Sequence, residues 1–214
     1  MRRVVVAAIL SGAVCISGIA SAQTPAGQMP AAQAGPLGGR MSIGGVAGGG
    51  AVQKIGGLAG GEFSVEVARG LDVYGEGLWI QNVASRRRID LAQVISNSLQ
   101  ASQGKTATSD VVAPATYGGV GVRVELTNHG TIRPYATFSV GAAHVTLKPA
   151  FTLGGTDISA SLAAYGVTLG SDLTGESTTA AFGGGAGVRA IHGRFYVDGG
   201  IRVISIRTPD ANHV

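Results

Sequence analysis

Alternation of apolar with small or polar residues at every second position narrows the fold of this chain more than any other feature. Phe63, Val65 and Val67 alternate with Glu62, Ser64 and Glu66. Val120, Val122, Val124 and Leu126 alternate with Gly119, Gly121, Arg123 and Glu125. Within 132–145, Ile132, Ala136, Phe138 and Val140 alternate with Arg133, Tyr135, Thr137 and Ser139. Ala180, Phe182, Ala186 and Val188 do so with Gly183, Gly185, Gly187 and Arg189, and Phe195, Val197, Ile201 and Val203 with Tyr196, Asp198, Gly200 and Arg202. Successive side chains of a strand point to opposite faces, so each segment carries one apolar face and one face of glycine, small polar or charged residues. Segment 71–83 is mixed, with Tyr74 and Glu76 on one face and Val73 and Trp79 on the other, and 41–52 is glycine-rich. That makes seven strands, of about the length that crosses a bilayer at a tilt.

Composition agrees with an all-β chain. Glycine accounts for 36 of 214 residues and charged residues for 13%. Mean hydropathy is +0.30. Disorder requires high charge and few apolar groups, which this chain lacks. The glycines show no three-residue period, which excludes collagen. Past the first 22 residues no apolar run reaches the ~18 residues of a spanning helix.

The N-terminus reads as a secretory signal peptide over 1–22. Met1-Arg2-Arg3 is a positive n-region, Val4 to Ile19 an apolar h-region, and Ala20-Ser21-Ala22 an A-x-A cleavage site. Cys15, the only cysteine, would leave with it, so the mature chain would hold neither a disulfide nor a thiol. Loss of Arg2 and Arg3 leaves 14 basic and 12 acidic residues, a weak basis for nucleic-acid binding. Residues 23–40, with Pro25, Pro30 and Pro36, read as a flexible tail, and 41–214 as one domain.

The connections separate a membrane barrel from a soluble sandwich. Short turns at 68–71, 127–130 and 192–194 alternate with long loops at 84–115, 148–177 and after Thr208. Transmembrane barrels have this asymmetry of ends. Ile89, Leu91, Val94, Ile95 and Leu99 form a helical face within 88–101, and Ile158, Leu162 and Tyr165 a shorter one within 157–165, so short helices are expected in the loops. The expected fold is an antiparallel up-and-down membrane β-barrel.

Together with the leader and tail, the glycine-rich strands around Tyr74-Gly75-Glu76-Gly77 and Gly183-Gly184-Gly185-Ala186-Gly187-Val188-Arg189 make 41–207 resemble small bacterial outer-membrane β-barrels of the OmpA-like and opacity-like kind. The resemblance implies eight strands, a cell outer-membrane location and assembly by the barrel-assembly machinery. It also implies a final strand with an aromatic end, whereas this chain closes on Asn212-His213-Val214. Seven antiparallel strands cannot close with every neighbour antiparallel. The domain is therefore expected to lack its last strand, with an open seven-stranded sheet as the alternative.

The inward phase of the strands holds Glu62, Glu66, Glu76, Arg123, Glu125, Arg133, Arg189, Asp198 and Arg202. Burial of unpaired charge is costly, so a salt-bridged interior is expected, with a narrow polar pore as the alternative. Arg86, Arg87 and Arg88 open the first long loop, and guanidinium forks suit the phosphates of lipopolysaccharide. Enzyme readings are poor. His144 is followed by Val145 and Thr146 rather than the serine an outer-membrane lipid hydrolase would place beside it, and no metal or cofactor motif is present. The expected role is non-enzymatic, with outer-membrane lipid and lipopolysaccharide as partners and surface contacts carried by the loops. The alternative is a soluble exported barrel that binds a small apolar ligand inside.

Overall fold

The structure is a computed structural model and describes residues 4–16, 41–51, 55–127, 129–170, 173–192 and 195–207. Ten strands are formed: β1 (Val4–Ile16), β2 (Met41–Ala51), β3 (Ile55–Ala68), β4 (Leu71–Ile80), β5 (Ala107–Val112), β6 (Ala115–Glu125), β7 (Ile132–Leu153), β8 (Thr156–Asp157), β9 (Gly175–His192) and β10 (Phe195–Arg207). An α-helix, α1 (Arg86–Gln103), precedes β5, and a 3-10 helix (Ser159–Tyr165) precedes β9.

The long strands make a curled, up-and-down antiparallel sheet. β2 pairs with β3, β3 with β4, β4 with β6, β6 with β7, β7 with β9, and β9 with β10. β1 lies between β10 and β2 and is antiparallel to both. The circuit thus has eight members, the even number that lets every neighbour be antiparallel and leaves no edge. The position expected for a strand beyond residue 207 is filled by Val4–Ile16, the segment read from sequence as a leader. The tail at 23–40 and the end at 208–214 lie outside the described residues.

Three connections, at 69–70, 126–131 and 193–194, gather at one end of the sheet, the turn end. The opposite, loop end carries α1, β5, β8 and the 3-10 helix. The alternation of short and long connections is less strict than the sequence suggested. β3 starts at Ile55, so the first connection at the loop end spans only 52–54. β7 likewise continues past Val145 to Leu153, where its far half pairs with β5 rather than lying in a loop. Gly70 closes the tightest turn at φ 77°, and Gly104 ends α1 at φ 64°, where its N–H reaches the Gln100 carbonyl.

The strands exchange faces partway along their length. At the turn end and in the middle, apolar side chains point outwards and charges point inwards. Phe138 is 55% exposed and Ile201 57%, while Arg123 is 3% exposed. Towards the loop end the inside becomes apolar. On β4 the inward series runs Asp72, Tyr74, Glu76, Leu78, Ile80, and on β10 it runs Asp198, Gly200, Arg202, Ile204, Ile206. At the same level the outside turns polar, along the register row Trp79, Thr116, His144 and Thr178.

The apolar upper interior merges with a cap formed by the loops. Leu58, Leu78, Ile80, Ala115, Tyr117, Val145, Ile204 and Ile206 belong to one buried cluster with Leu99 of α1, Val111 of β5, Phe151 and Leu162. Burial of a leucine such as Leu99 is worth about 1.5–3 kcal/mol, so the cap is held as part of the core. The helical face differs from the expected one. Ala92, Ser96 and Leu99 are buried, and Ile89, Leu91 and Ile95 flank them, while Val94 is 64% exposed. A helix packed on two strands buries a stripe only about one residue in four wide, and Val94 falls outside it.

Glycine makes room for tyrosine on the inner wall. A Cβ on Gly121 would lie 2.5 Å from Cζ of Tyr74, and one on Gly187 would lie 2.5 Å from Oη of Tyr135. The rings of Tyr74 and Tyr135 therefore lie against bare backbone, which narrows a barrel that larger residues would force wider.

Candidate functional site

Two features stand out: the charged interior near the turn end and the polar rim near the loop end. In the interior, Arg123 on β6 reaches across to β3, with Nη2 2.7 Å from Oε1 and 2.8 Å from Oε2 of Glu62. Arg189 on β9 is the hub. Its Nε donates to Asp198 at 3.0 Å, and its Nη1 reaches Asp72 at 3.1 Å and Glu125 at 3.2 Å. Arg133 closes the series on Glu125 at 3.0 Å. Arg202 pairs with Glu76 and donates from Nη2 to Tyr74 Oη at 3.2 Å. Glu76 itself is fully enclosed.

Aromatic rings complete the wrapping of the arginines. The Arg189 guanidinium stands 4.2 Å from the centre of the Tyr196 ring, and Arg123 stands 5.1 Å from those of Tyr74 and Tyr135. Cation–ring attraction of this kind is strongest where water is excluded. Among the described residues, Arg123 Nε and Nη1 and Glu76 Oε1 have no hydrogen-bond partner. A cavity of about 40 Å³ adjoins Arg123, lined also by Glu62, Tyr135, Thr137, Asp198 and Arg202 among others. That space suits two or three ordered waters. The chemistry available here is charge pairing and hydration. The cavity does not continue to the loop end, because Leu78, Tyr117, Ala143 and Ile204, each at most 2% exposed, fill the section above it.

Of the residues expected inside, the structure brings together Glu62, Glu76, Arg123, Glu125, Arg133, Arg189, Asp198 and Arg202. Glu66 stands apart. It lies opposite Asp72 in the ladder, just before a register shift at Ala68, and is half-buried without an ion pair among the described residues. Asp72 was not anticipated, although it bridges Arg189 and, at 3.8 Å, Arg123. Its phase with Tyr74 and Glu76 on β4 was the available signal.

At the loop end, Arg86, Arg87 and Arg88 form the first turn of α1. Arg86 and Arg87 are exposed and Arg88 is half-buried. The helix start gains nothing from them, because cations oppose the positive end of the helix dipole. Ser85 occupies the N-cap position without a side-chain hydrogen bond, its carbonyl accepting from Arg88 and Ile89 at 3.1 and 3.2 Å.

His144 lies on the outer rim. Its Nδ1 is 3.0 Å from Thr178 Oγ1 and its Nε2 is 3.5 Å from Glu176, both on β9. Sequence reasoning looked for a hydroxyl next to His144 in the chain, whereas the antiparallel register supplies one from the adjacent strand. The three groups are exposed on the outer wall and form a polar row. In the cap, Asp157 accepts from Ser159 Oγ at 2.6 Å and from its N–H at 2.9 Å, which holds this carboxyl below its ordinary range.

No protein-family model and no curated protein matches the chain. Among solved structures, the crystal structure of Ail, the attachment invasion locus protein of Yersinia pestis, aligns with 97% of this chain and 100% of its own. The identity is 9% and the TM-score 0.33. At that score the likeness carries no weight, and the architecture rests on the strand pairing described above.

Proposed function

We propose that the chain is a non-enzymatic β-barrel protein of a bacterial outer membrane. Its loop-end cap serves a structural, adhesive or other surface-interaction role. The observation that supports this most directly is a band on the outer wall. From Ala180 to Ala190 the outward positions of β9 are Ala180, Phe182, Gly184, Ala186, Val188 and Ala190, with Thr178 and Glu176 beyond one end and His192 beyond the other. On β7 the matching span runs from Ile132, paired with Ala190, to Ala142, paired with Ala180. Ten residue steps rise about 34 Å along a strand, or about 25 Å along the normal of a barrel tilted near 40°, the height of a lipid-facing band. Trp79 lies at the upper border, a position where an indole with one wet edge is favoured.

In this reading the loop end faces outwards, and Arg86, Arg87 and Arg88 contact lipopolysaccharide phosphates. The packed apolar section above the cavity supports a closed barrel over a narrow pore. A soluble ligand-binding barrel would place Phe138, Val197 and Ile201 inside, whereas they are 51–57% exposed on the outer wall.

The test is envelope fractionation of cells expressing the chain, with gel migration before and after heating. A band in the outer-membrane fraction that shifts on heating is expected. Recovery as a folded soluble periplasmic protein would overturn the membrane reading in favour of the soluble barrel.

A further inference from the structure

We infer that the β3–β4 hairpin is an electrostatic latch: its inner face repels itself until the arginines of β6 to β10 stand across from it, so it is the last part of the sheet to lock. The inference goes beyond the membrane reading, and its test follows folding rather than location.

The register sets like charges against each other. On the inner face of the hairpin, Glu62 of β3 lies opposite Glu76 of β4, and Glu66 lies opposite Asp72. Between Ile55 and Ile80 the one cation is Arg69, exposed in the turn. Like charges directly opposite in a ladder destabilise the pairing. The hairpin therefore carries four carboxylates on one face and no counter-charge of its own there.

The counter-charges come from far along the chain. Glu62 is held by Arg123 of β6, 61 residues on, Asp72 by Arg189 of β9, 117 residues on, and Glu76 by Arg202 of β10, 126 residues on. Arg123 borders the hairpin in the sheet, because β4 pairs with β6. Arg189 and Arg202 reach Asp72 and Glu76 across the interior, so they stand in place only once the sheet has curled round. Enclosing the hairpin before then would bury carboxylates without partners, which is strongly unfavourable.

The facing wall is built differently. Arg133 of β7 and Arg189 of β9 also lie opposite each other, but Glu125 of β6 takes both, at 3.0 and 3.2 Å. Asp198 of β10 lies opposite Arg189 and pairs with it at 3.0 Å. The strands β6, β7, β9 and β10 thus carry carboxylates among their arginines and can pair before the hairpin docks. The hairpin precedes them in the chain and locks after them.

The test is refolding of the full chain from urea into detergent micelles, followed by two reporters. Trp79, the one tryptophan of the chain, lies on the outer wall of β4 and reads the hairpin. A dye on Phe138→Cys, in a Cys15→Ser background, reads the outer wall of β7. The dye is expected to change first, and Trp79 to follow together with the heat-shifting gel band. Glu66→Gln removes one opposed charge and breaks no ion pair among the described residues. It is expected to speed the Trp79 phase about two- to fivefold and to leave the dye phase unchanged. Glu176→Gln, which alters an exposed carboxylate on β9, is expected to change neither. A Trp79 change that precedes or coincides with that of the dye would overturn the order of locking. Equal Trp79 rates in the native chain and in Glu66→Gln would overturn its electrostatic cause. Neither result bears on the membrane reading, which fractionation decides.

Discussion

Leu78 and Trp79, adjacent in β4, stand on opposite sides of the wall at the level where the barrel exchanges its apolar face. Leu78 is 2% exposed inside and Trp79 is 50% exposed outside. Below them charges are enclosed and aliphatic groups face out, and above them the interior is apolar under a folded cap.

The lipid-facing assignment predicts a depth-dependent penalty for charge. Val122→Arg places a guanidinium in mid-band and is expected to cost about 2–4 kcal/mol, whereas Thr178→Arg, at the border, costs about 0–1 kcal/mol. Urea titration of folding into lipid vesicles measures both. Equal costs at the two positions would contradict the band.

Arg123 and Glu62 are expected to depend on each other. Arg123→Met leaves an enclosed carboxylate without its partner and should destabilise by about 3–5 kcal/mol. Adding Glu62→Leu should restore most of that loss, because a buried pair replaced by apolar groups of similar volume is often neutral. A double-mutant cycle in detergent reads the coupling.

Glycines on the inner and outer walls predict a contrast. Gly121→Ala drives a methyl against the ring of Tyr74 and is expected to cost about 1–3 kcal/mol by overpacking. Gly77→Ala, with nothing within 4 Å of the new atom, should be neutral within experimental error. Thermal scans of the two variants decide whether the glycines serve packing.

The cap should loosen without loss of the barrel. Leu99→Ala removes a fully enclosed side chain between α1 and the upper interior, at a cost of about 2–5 kcal/mol. Limited proteolysis is expected to cut faster within 86–103 while the heat-shifted band persists. Loss of both together would mean that the barrel and the cap fold as one unit.

Asp157 gives the cap a pH response of known sign. Its folded pKa is held down by the Ser159 hydroxyl and N–H, so its contribution is present above the ordinary carboxylate range and is lost as pH falls through the depressed value. Protection of the 156–166 segment in hydrogen exchange should fall with acid in the native chain. Ser159→Ala should remove most of that dependence.

Much of the barrel was legible because period-2 alternation is imposed by the strand itself. Glu62, Arg123, Arg189, Asp198 and Arg202 were placed inside by phase alone. Phase could not show that β7 and β9 extend well beyond the band, because Lys148 to Leu153 and Gly175 to Ser177 fall within 148–177, which reads as a long loop once the alternation of the band has ended. Glu66 keeps the same phase, opposite Asp72, but phase says nothing of whether a charge finds a partner. α1 was legible as a helix, but its buried stripe was not, since Ala92 and Ser96 carry too little hydrophobicity to outweigh Val94. The short strand β5 was missed because its partner, the far half of β7, is distant in sequence.

The row Trp79, Thr116, His144 and Thr178 also fixes draught, in the nautical sense. Sinking the barrel by two residues would submerge an imidazole and the Glu176 carboxylate, and raising it by two would strip lipid from Ile132, Leu126 and Met41 at the far rim. In the proposed membrane setting either displacement is opposed, so the cap would be carried at a set height above the bilayer. The proposed contacts of Arg86 and Arg87 would then be chosen by elevation as much as by charge.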